Sequence, residues 1–261
     1  MKSIERTFRY YKDFIRWNIR GLSLGPKVNT LELAGVQQKL SKLGYITDPL
    51  EFKDGLSKFQ INYGLEARGG ILDFETYFAL VRACCRVPDG DTARMDPCRW
   101  PGDPGQPISL TFRFAKGAKD FVKTAVRSAA DEWQRRSGVV TFIELQDESM
   151  MPSFMVEGPG VISGDLLIQD QMDSFISSAT FPCETVSKVC HFDDVFVNWG
   201  DCKAKSFTIV NFALHEIGHT LGLVHSCLPD DIMYNGFNEG DDCKAVSGSD
   251  ISALKKLYGF S

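Results

Sequence analysis

Histidine is scarce in this chain, with four in 261 residues. Other absences bound the reading further. No stretch is long enough to cross a membrane, and residues 1–25 lack the apolar run of a secretory leader. Instead Ile4, Phe8, Tyr11 and Ile15 fall at helical spacing among Lys2, Arg6, Arg9, Arg16 and Arg20. This segment reads as an amphipathic helix packed on its own domain or touching a membrane surface, or as an N-terminus whose leader lies outside this chain. The net charge of −5 carries no basic excess for nucleic acid. Internal repeats and low-complexity tracts are missing, which argues against solenoid and fibrous architectures. With 43% apolar residues, the chain can bury one large core beside a smaller one.

Three of the four histidines fall within the run His215-Glu216-Ile217-Gly218-His219-Thr220-Leu221-Gly222-Leu223-Val224-His225. Residues four apart share one helix face, so His215 and His219 can turn both imidazoles toward one ion. Glu216 sits beside them, where a carboxylate can take a proton from water at the open coordination position. Gly222 can adopt the left-handed conformation that ends a helix, and the turned chain then returns His225 as a third ligand. Three protein ligands leave one position open, the pattern of a catalytic zinc. A buried helix with hydrogen-bonded histidines is the plainer reading. Chance yields a bare H-E-x-x-H in roughly 1% or fewer of chains this long, and the added Gly and His cut that at least about a hundredfold. Zinc peptidase is therefore the leading reading.

The run resembles the metzincin signature, whose members carry a Met-turn downstream. Asp231-Ile232-Met233-Tyr234 fits, with Met233 as an apolar floor beneath the ion. Ser226, and the ending from Ser249-Asp250-Ile251 to Leu257-Tyr258-Gly259, resemble the matrixins, the matrix metalloproteinases. Upstream, Cys85-Arg86-Val87-Pro88-Asp89 resembles their cysteine switch P-R-C-G-x-P-D, although Ala83-Cys84 replaces the preceding Pro-Arg and Arg86 replaces the Gly. The resemblance implies that Cys85 is a zinc ligand in a latent form, since a thiolate in the fourth position excludes water. Taken alone, the Cys84-Cys85 pair reads as a disulfide partner or a buried thiol.

Eight cysteines point to an oxidising compartment. Cys84 and Cys85 fall in the pro-region. Cys98, Cys183, Cys190, Cys202, Cys227 and Cys243 remain for three disulfides, or for reduced buried thiols, and spacing alone does not fix the pairing. Closure of short loops favours Cys183 with Cys190 and Cys227 with Cys243. Matrixin catalytic domains do not generally need these cysteines.

The fold class expected is α+β: a twisted mixed sheet with an active-site helix and a C-terminal helix, preceded by a small three-helix domain. Val36, Leu40 and Leu43, then Leu56, Phe59 and Tyr63, then Tyr77, Leu80 and Val81 trace three helix faces. This bundle is similar to the matrixin propeptide and to the peptidoglycan-binding fold. Ile108 to Phe114 and Val139 to Leu145 alternate as strands, and Phe121 to Trp133 forms a helix stripe ended by Gly138. Leu166-Leu167-Ile168 and Val195-Phe196-Val197 read as further strands. Phe207 to Leu221 reads as the active helix, and a last helix begins at a Ser247 or Ser249 cap. Domain boundaries follow: 1–30, of unclear role; 31–90, a propeptide ending in the switch; 91–107, a proline-rich activation linker; and 108–261, the catalytic domain. The chain ends just after the last helix, so no hemopexin-like domain is expected to follow.

Some family features are missing. Matrixins carry a second, structural zinc held by several histidines and an Asp. Here only His191 stands in that region, with Ala179 near an expected ligand, so one zinc is expected. Asp193 and Asp194 offer hard oxygens for calcium, or are two solvated loop carboxylates, and Phe196 takes the place of an acidic partner. Ser249 replaces one Asp of the pair that can receive the new N-terminus after activation. Asn235 replaces the usual Pro on the pocket wall.

Together these features imply a secreted, extracellular zinc endopeptidase, monomeric and made as a latent zymogen. Its partners would be protein substrates, matrix proteins by family, and an activating protease. Glu216 is the expected general base. The alternatives are an inactive metzincin-like scaffold and a binding protein that uses the 31–82 helical module.

Overall fold

A computed structural model describes residues 30–67, 69–81, 84–85, 89, 98–157, 175–184, 188–192, 199–200, 207–237 and 240–260. Three helices come first: α1 (Thr30–Lys42), α2 (Phe52–Asn62) and α3 (Phe74–Val81). A single 3-10 turn at Pro49–Glu51 leads into α2. Asp48 caps that turn, and Glu51 reaches back to the cap, so two orphan amides are satisfied reciprocally. Val36, Leu40, Leu43, Leu56, Phe59 and Leu80 close on one another as the small core, as their spacing predicts.

The larger part is built on a six-stranded sheet in the order β1-β5-β6-β4-β2-β3. Its strands are β1 (Cys84–Cys85), β2 (Ile108–Phe114), β3 (Val140–Glu144), β4 (Phe154–Glu157), β5 (Phe175–Ala179) and β6 (Val189–Phe192). All neighbours run parallel except β5 and β6. A two-residue ladder of β7 (Trp199–Gly200) and β8 (Phe207–Thr208) lies apart. The α+β class expected from the sequence is the class observed.

Two helices cover one face of the sheet. The buried face of α4 (Asp120–Ser137) carries Val122, Val126, Ala129 and Trp133, and Gly138 caps it in the left-handed conformation at φ 64°. The active helix α5 (Ile209–Thr220) is almost wholly buried. Trp133 fixes the two together, donating its indole N–H to the Leu214 carbonyl at 2.9 Å. The last helix, α6 (Gly248–Leu257), starts at a capping box in which Ser247 and Asp250 satisfy each other's backbone. The strands expected at Leu166-Leu167-Ile168 and Val195-Phe196-Val197 lie outside the described residues. The short strands β4, β5 and β6 were not expected.

The cysteines pair differently from the short-loop expectation. Cys98 bonds Cys183 across 85 positions of sequence, and Cys190 and Cys227 are free. Cys243 is in a disulfide whose other half is not among the described side chains. The reason is direction. Cys190 is fully buried on the inward face of β6, whereas Cys183 lies in the turn beyond β5, beside the buried pair Cys98 and Phe181. Loop length limits which cysteines can meet, and side-chain direction decides which do.

Candidate metal centre

His215 and His219 project from the buried face of α5, each fully buried. Their outer nitrogens are engaged by the protein: His215 Nδ1 lies 2.7 Å from the Ile232 carbonyl oxygen, and His219 Nδ1 lies 2.7 Å from that of Leu223. A carbonyl can only accept, so each Nδ1 carries the proton and each Nε2 presents a lone pair. Burial, then the neighbouring His225, holds the His215 pKa well below the usual imidazole value, which favours the neutral ligand form.

The helix ends as the spacing predicts. Gly222 takes φ +99°, and a Cβ there would stand 2.0 Å from the Cys98 carbonyl oxygen. The turn at Gly222 lets the Leu223 carbonyl reach back to His219 and lets the chain return with His225. The three Nε2 atoms then lie 3.1, 3.1 and 3.2 Å apart. Two lone pairs at that distance repel each other unless a cation stands between them. Three nitrogens around a tetrahedral zinc, at the usual bond lengths, would be about 3.3–3.4 Å apart, so these residues fit the ion. Among the described residues, this is the group of metal-ligating side chains close enough to share one ion.

Beneath the histidines, Met233 is buried, and its sulfur would stand 2.2 Å from a Cβ placed on Gly218. A helix glycine is thus needed where the Met-turn packs. Asp250 holds that turn from below. Its carboxylate accepts from the amides of Ile232 at 2.9 Å, Met233 at 3.3 Å and Ser247 at 2.9 Å. Ser249 is engaged with Asp231, which also accepts from Ser226 at 2.5 Å and Ser247 at 2.7 Å. Aromatic rings close the sides, with Phe237 centred 5.2 Å from His215 and Phe181 centred 5.3 Å from His219.

Glu216 is fully buried next to His215. The Ser177 hydroxyl, on β5, donates to its Oε1 at 2.5 Å. Below them lies Cys190, whose thiol pKa is pushed well up by burial and then by the Glu216 charge.

Asp89, in the segment that follows β1, adds a group beside the histidines. Both the Asp89 and His225 side chains are buried, with Asp89 Oδ1 2.6 Å from His225 Nδ1. Asn235 Nδ2 donates to the same oxygen at 2.9 Å, and the Asp89 amide donates to the Leu43 carbonyl at 3.0 Å. Burial, then the Asp89 charge, pushes the Tyr45 phenol pKa far up. Nearby, the Tyr63 hydroxyl donates to the Asn235 carbonyl at 3.0 Å, and its ring meets Tyr234 edge-on at 5.7 Å. Asn235, noted in the sequence as a replacement for Pro, is where the helical bundle docks.

Of the remaining expected site residues, Cys85 has its backbone in β1, paired with Ser177 of β5. Its side chain, and Asp193 and Asp194 with the calcium expectation, lie outside the described residues. His191 sits on β6 with Nδ1 3.6 Å from Glu157 Oε2. Sequence reasoning missed Ser177, Phe181 and the role of Asp89. Only Asp89 left a signal, as the last residue of the quoted switch motif.

The family model for matrixin matches residues 104–259. The chain belongs to the matrixin family. Metalloendoproteinase 5-MMP of Arabidopsis thaliana is 26% identical over 92% of this matrixin and 74% of its own length. Metalloendoproteinase 1 of Glycine max is 26% identical, covering 90% of this chain and 85% of its own. Human Matrix metalloproteinase-25 is 26% identical over 90% of this chain, which spans 46% of that protein. Several animal relatives share this proportion, so the chain spans less than half of their length. Membership makes this matrixin a metalloendopeptidase, and the family is zinc-dependent. No helix among the described residues is long and apolar enough to cross a membrane.

Proposed function

We propose that this matrixin is a secreted zinc endopeptidase made as a latent zymogen, cutting peptide bonds of extracellular proteins, matrix proteins among them. One observation carries the reading: three Nε2 lone pairs converge within 3.2 Å of one another beside the buried carboxylate of Glu216. In this reading His215, His219 and His225 hold the zinc and Met233 forms its floor.

A zinc ion bound there supplies a Lewis acid that polarises the scissile carbonyl and acidifies water. The rest of the chemistry falls to the chain. Glu216 accepts the proton of the attacking water and returns it to the leaving amine. Strand β5 offers the substrate backbone an edge to pair with once β1 is gone. Buried Phe181 and Phe237 keep solvent from the imidazoles, which strengthens the electrostatics inside.

Latency follows from the placement of the pro-region. Residues 31–90 act as the propeptide, 91–107 as the activation linker and 108–261 as the catalytic domain. Strand β1 occupies the edge of β5 that a substrate would use, with Cys85 as the thiolate that excludes water. The Asp89 contacts to His225 and Asn235 support a pro-region docked against the metal centre itself.

The test is zinc content and cleavage of a quenched generic peptide, on the full chain and on a form beginning near Met95. One zinc in both, activity only in the shorter form, and lost latency in Cys85→Ser are expected. One zinc with no activity in either would favour an inactive scaffold. Activity in both would remove Cys85 as a switch.

A further inference from the structure

The Ser177 hydroxyl is unexpected where it stands. Ser177 is 4% exposed on the inward face of β5, a position a strand fills with an apolar side chain at no polar cost. A buried hydroxyl is costly unless it is hydrogen-bonded. Its bond goes to Glu216 Oε1 at 2.5 Å, the short range of O–H···O⁻ contacts.

Glu216 has the complementary need. It is a wholly buried carboxylate, and the amides of its own helix are spent within α5. The Ser177 hydroxyl is a donor that reaches it from another element.

We propose that Ser177 is the positioning residue for the Glu216 carboxylate. It fixes the rotamer from which Glu216 handles the proton and ties that rotamer to the strand where the substrate lies. The proposal rests on the reading of Glu216 as proton carrier. Ser177 is also the residue of β5 that pairs with Cys85 of β1. The occupant of the edge, whether pro-segment or substrate, therefore lies one hydrogen-bonded strand away from the catalytic carboxylate.

The proton balance is simple. With Oε1 held by Ser177, the proton of water moves to Oε2 and from there to the leaving nitrogen as the C–N bond breaks. Ser177 keeps its own proton throughout. Its side chain reaches Glu216 Oε1, while an occupant of the edge pairs with its backbone, so loss of the hydroxyl alone should misplace Glu216 without weakening substrate binding.

Two readouts test this. The first needs no turnover: unfolding midpoints of the zinc-loaded full chain are measured for Ser177→Ala, Glu216→Ala and the double variant. Ser177→Ala should lower the midpoint with Glu216 present and leave it nearly unchanged in the Glu216→Ala background. Additive shifts would overturn the proposal.

The second uses the full chain after limited cleavage within residues 91–97. Ser177→Ala should keep one zinc and a KM within about twofold while kcat falls roughly 10- to 100-fold, and Ser177→Thr, which retains the hydroxyl, should recover most of it. Unchanged kcat, or a loss appearing in KM alone, would overturn the assignment. Ser177→Cys keeps the size with a weaker donor and replaces Ser177→Ala in both readouts if the alanine protein does not fold. If the unsubstituted enzyme cuts no peptide, the peptidase reading fails, and the midpoints still decide the Ser177–Glu216 link.

Discussion

The three histidines are not oriented alike. His215 and His219 are held by backbone carbonyls of Ile232 and Leu223, both within the catalytic part. His225 has the carboxylate of Asp89 against its outer nitrogen, from the segment that follows β1. A backbone carbonyl is fixed by the fold and stays as long as the helix and Met-turn stay. A side chain from another region can leave. The histidine cluster thus has two members held by nearby backbone and one that faces a side chain from the segment after β1.

Removing a locked ligand should break the centre outright. His215→Ala leaves two imidazoles for an ion that needs three protein ligands, so elemental analysis should find the zinc lost and peptide cleavage abolished. Asp89→Ala tests the other half of the comparison. Removal of a group that orients a metal ligand typically costs about 10- to 100-fold in affinity. A competing chelator should therefore extract zinc from the full-length variant more readily by that factor, and no change would mean the Asp89 contact is incidental.

Gly218→Ala probes the floor shared by all three. Its new Cβ would meet Met233 Sδ at 2.2 Å, and overpacking of this kind costs about 1–3 kcal/mol. A lower denaturant midpoint with unchanged slope is expected. The smallest effect concerns acid. Burial pushes the Asp231 carboxyl up, but the hydroxyls of Ser226, Ser249 and Ser247 outweigh it, so the net pKa lies below the ordinary value. A depressed folded pKa means stabilisation that is present above the unfolded value of about 3.9 and is lost as pH falls through the folded one. Asp231→Asn should be less stable than the parent at neutral pH and show a shallower loss below about pH 4 in a melting series.

What could be read from the sequence follows the same division. His215, His219, Gly222 and His225 lie within one helix and the turn that follows it, where spacing fixes geometry. The stripe of α4 and its Gly138 cap were equally legible. Strands β4, β5 and β6 have four or five residues each, too few for alternation to show, and β5 contains two serines where apolar residues would have marked it. Ser177 gained its meaning only from Glu216 across the sheet edge. Asp89 stood in a quoted motif, but its partners His225 and Asn235 come from beyond the active helix. The cysteines taught the same lesson, since short-loop closure put Cys183 with Cys190 while the fold turned Cys190 inward and brought Cys98 from 85 residues away.

The most direct test of the central claim is zinc stoichiometry and peptide cleavage, side by side, for the chain cleaved in the activation linker and its Glu216→Gln variant. The account predicts one zinc in both and cleavage only by the parent, because the amide keeps the shape of Glu216 and cannot carry the proton. Cleavage by the variant, or a variant that no longer binds zinc, would contradict Glu216 as a base acting beside a metal held by His215, His219 and His225.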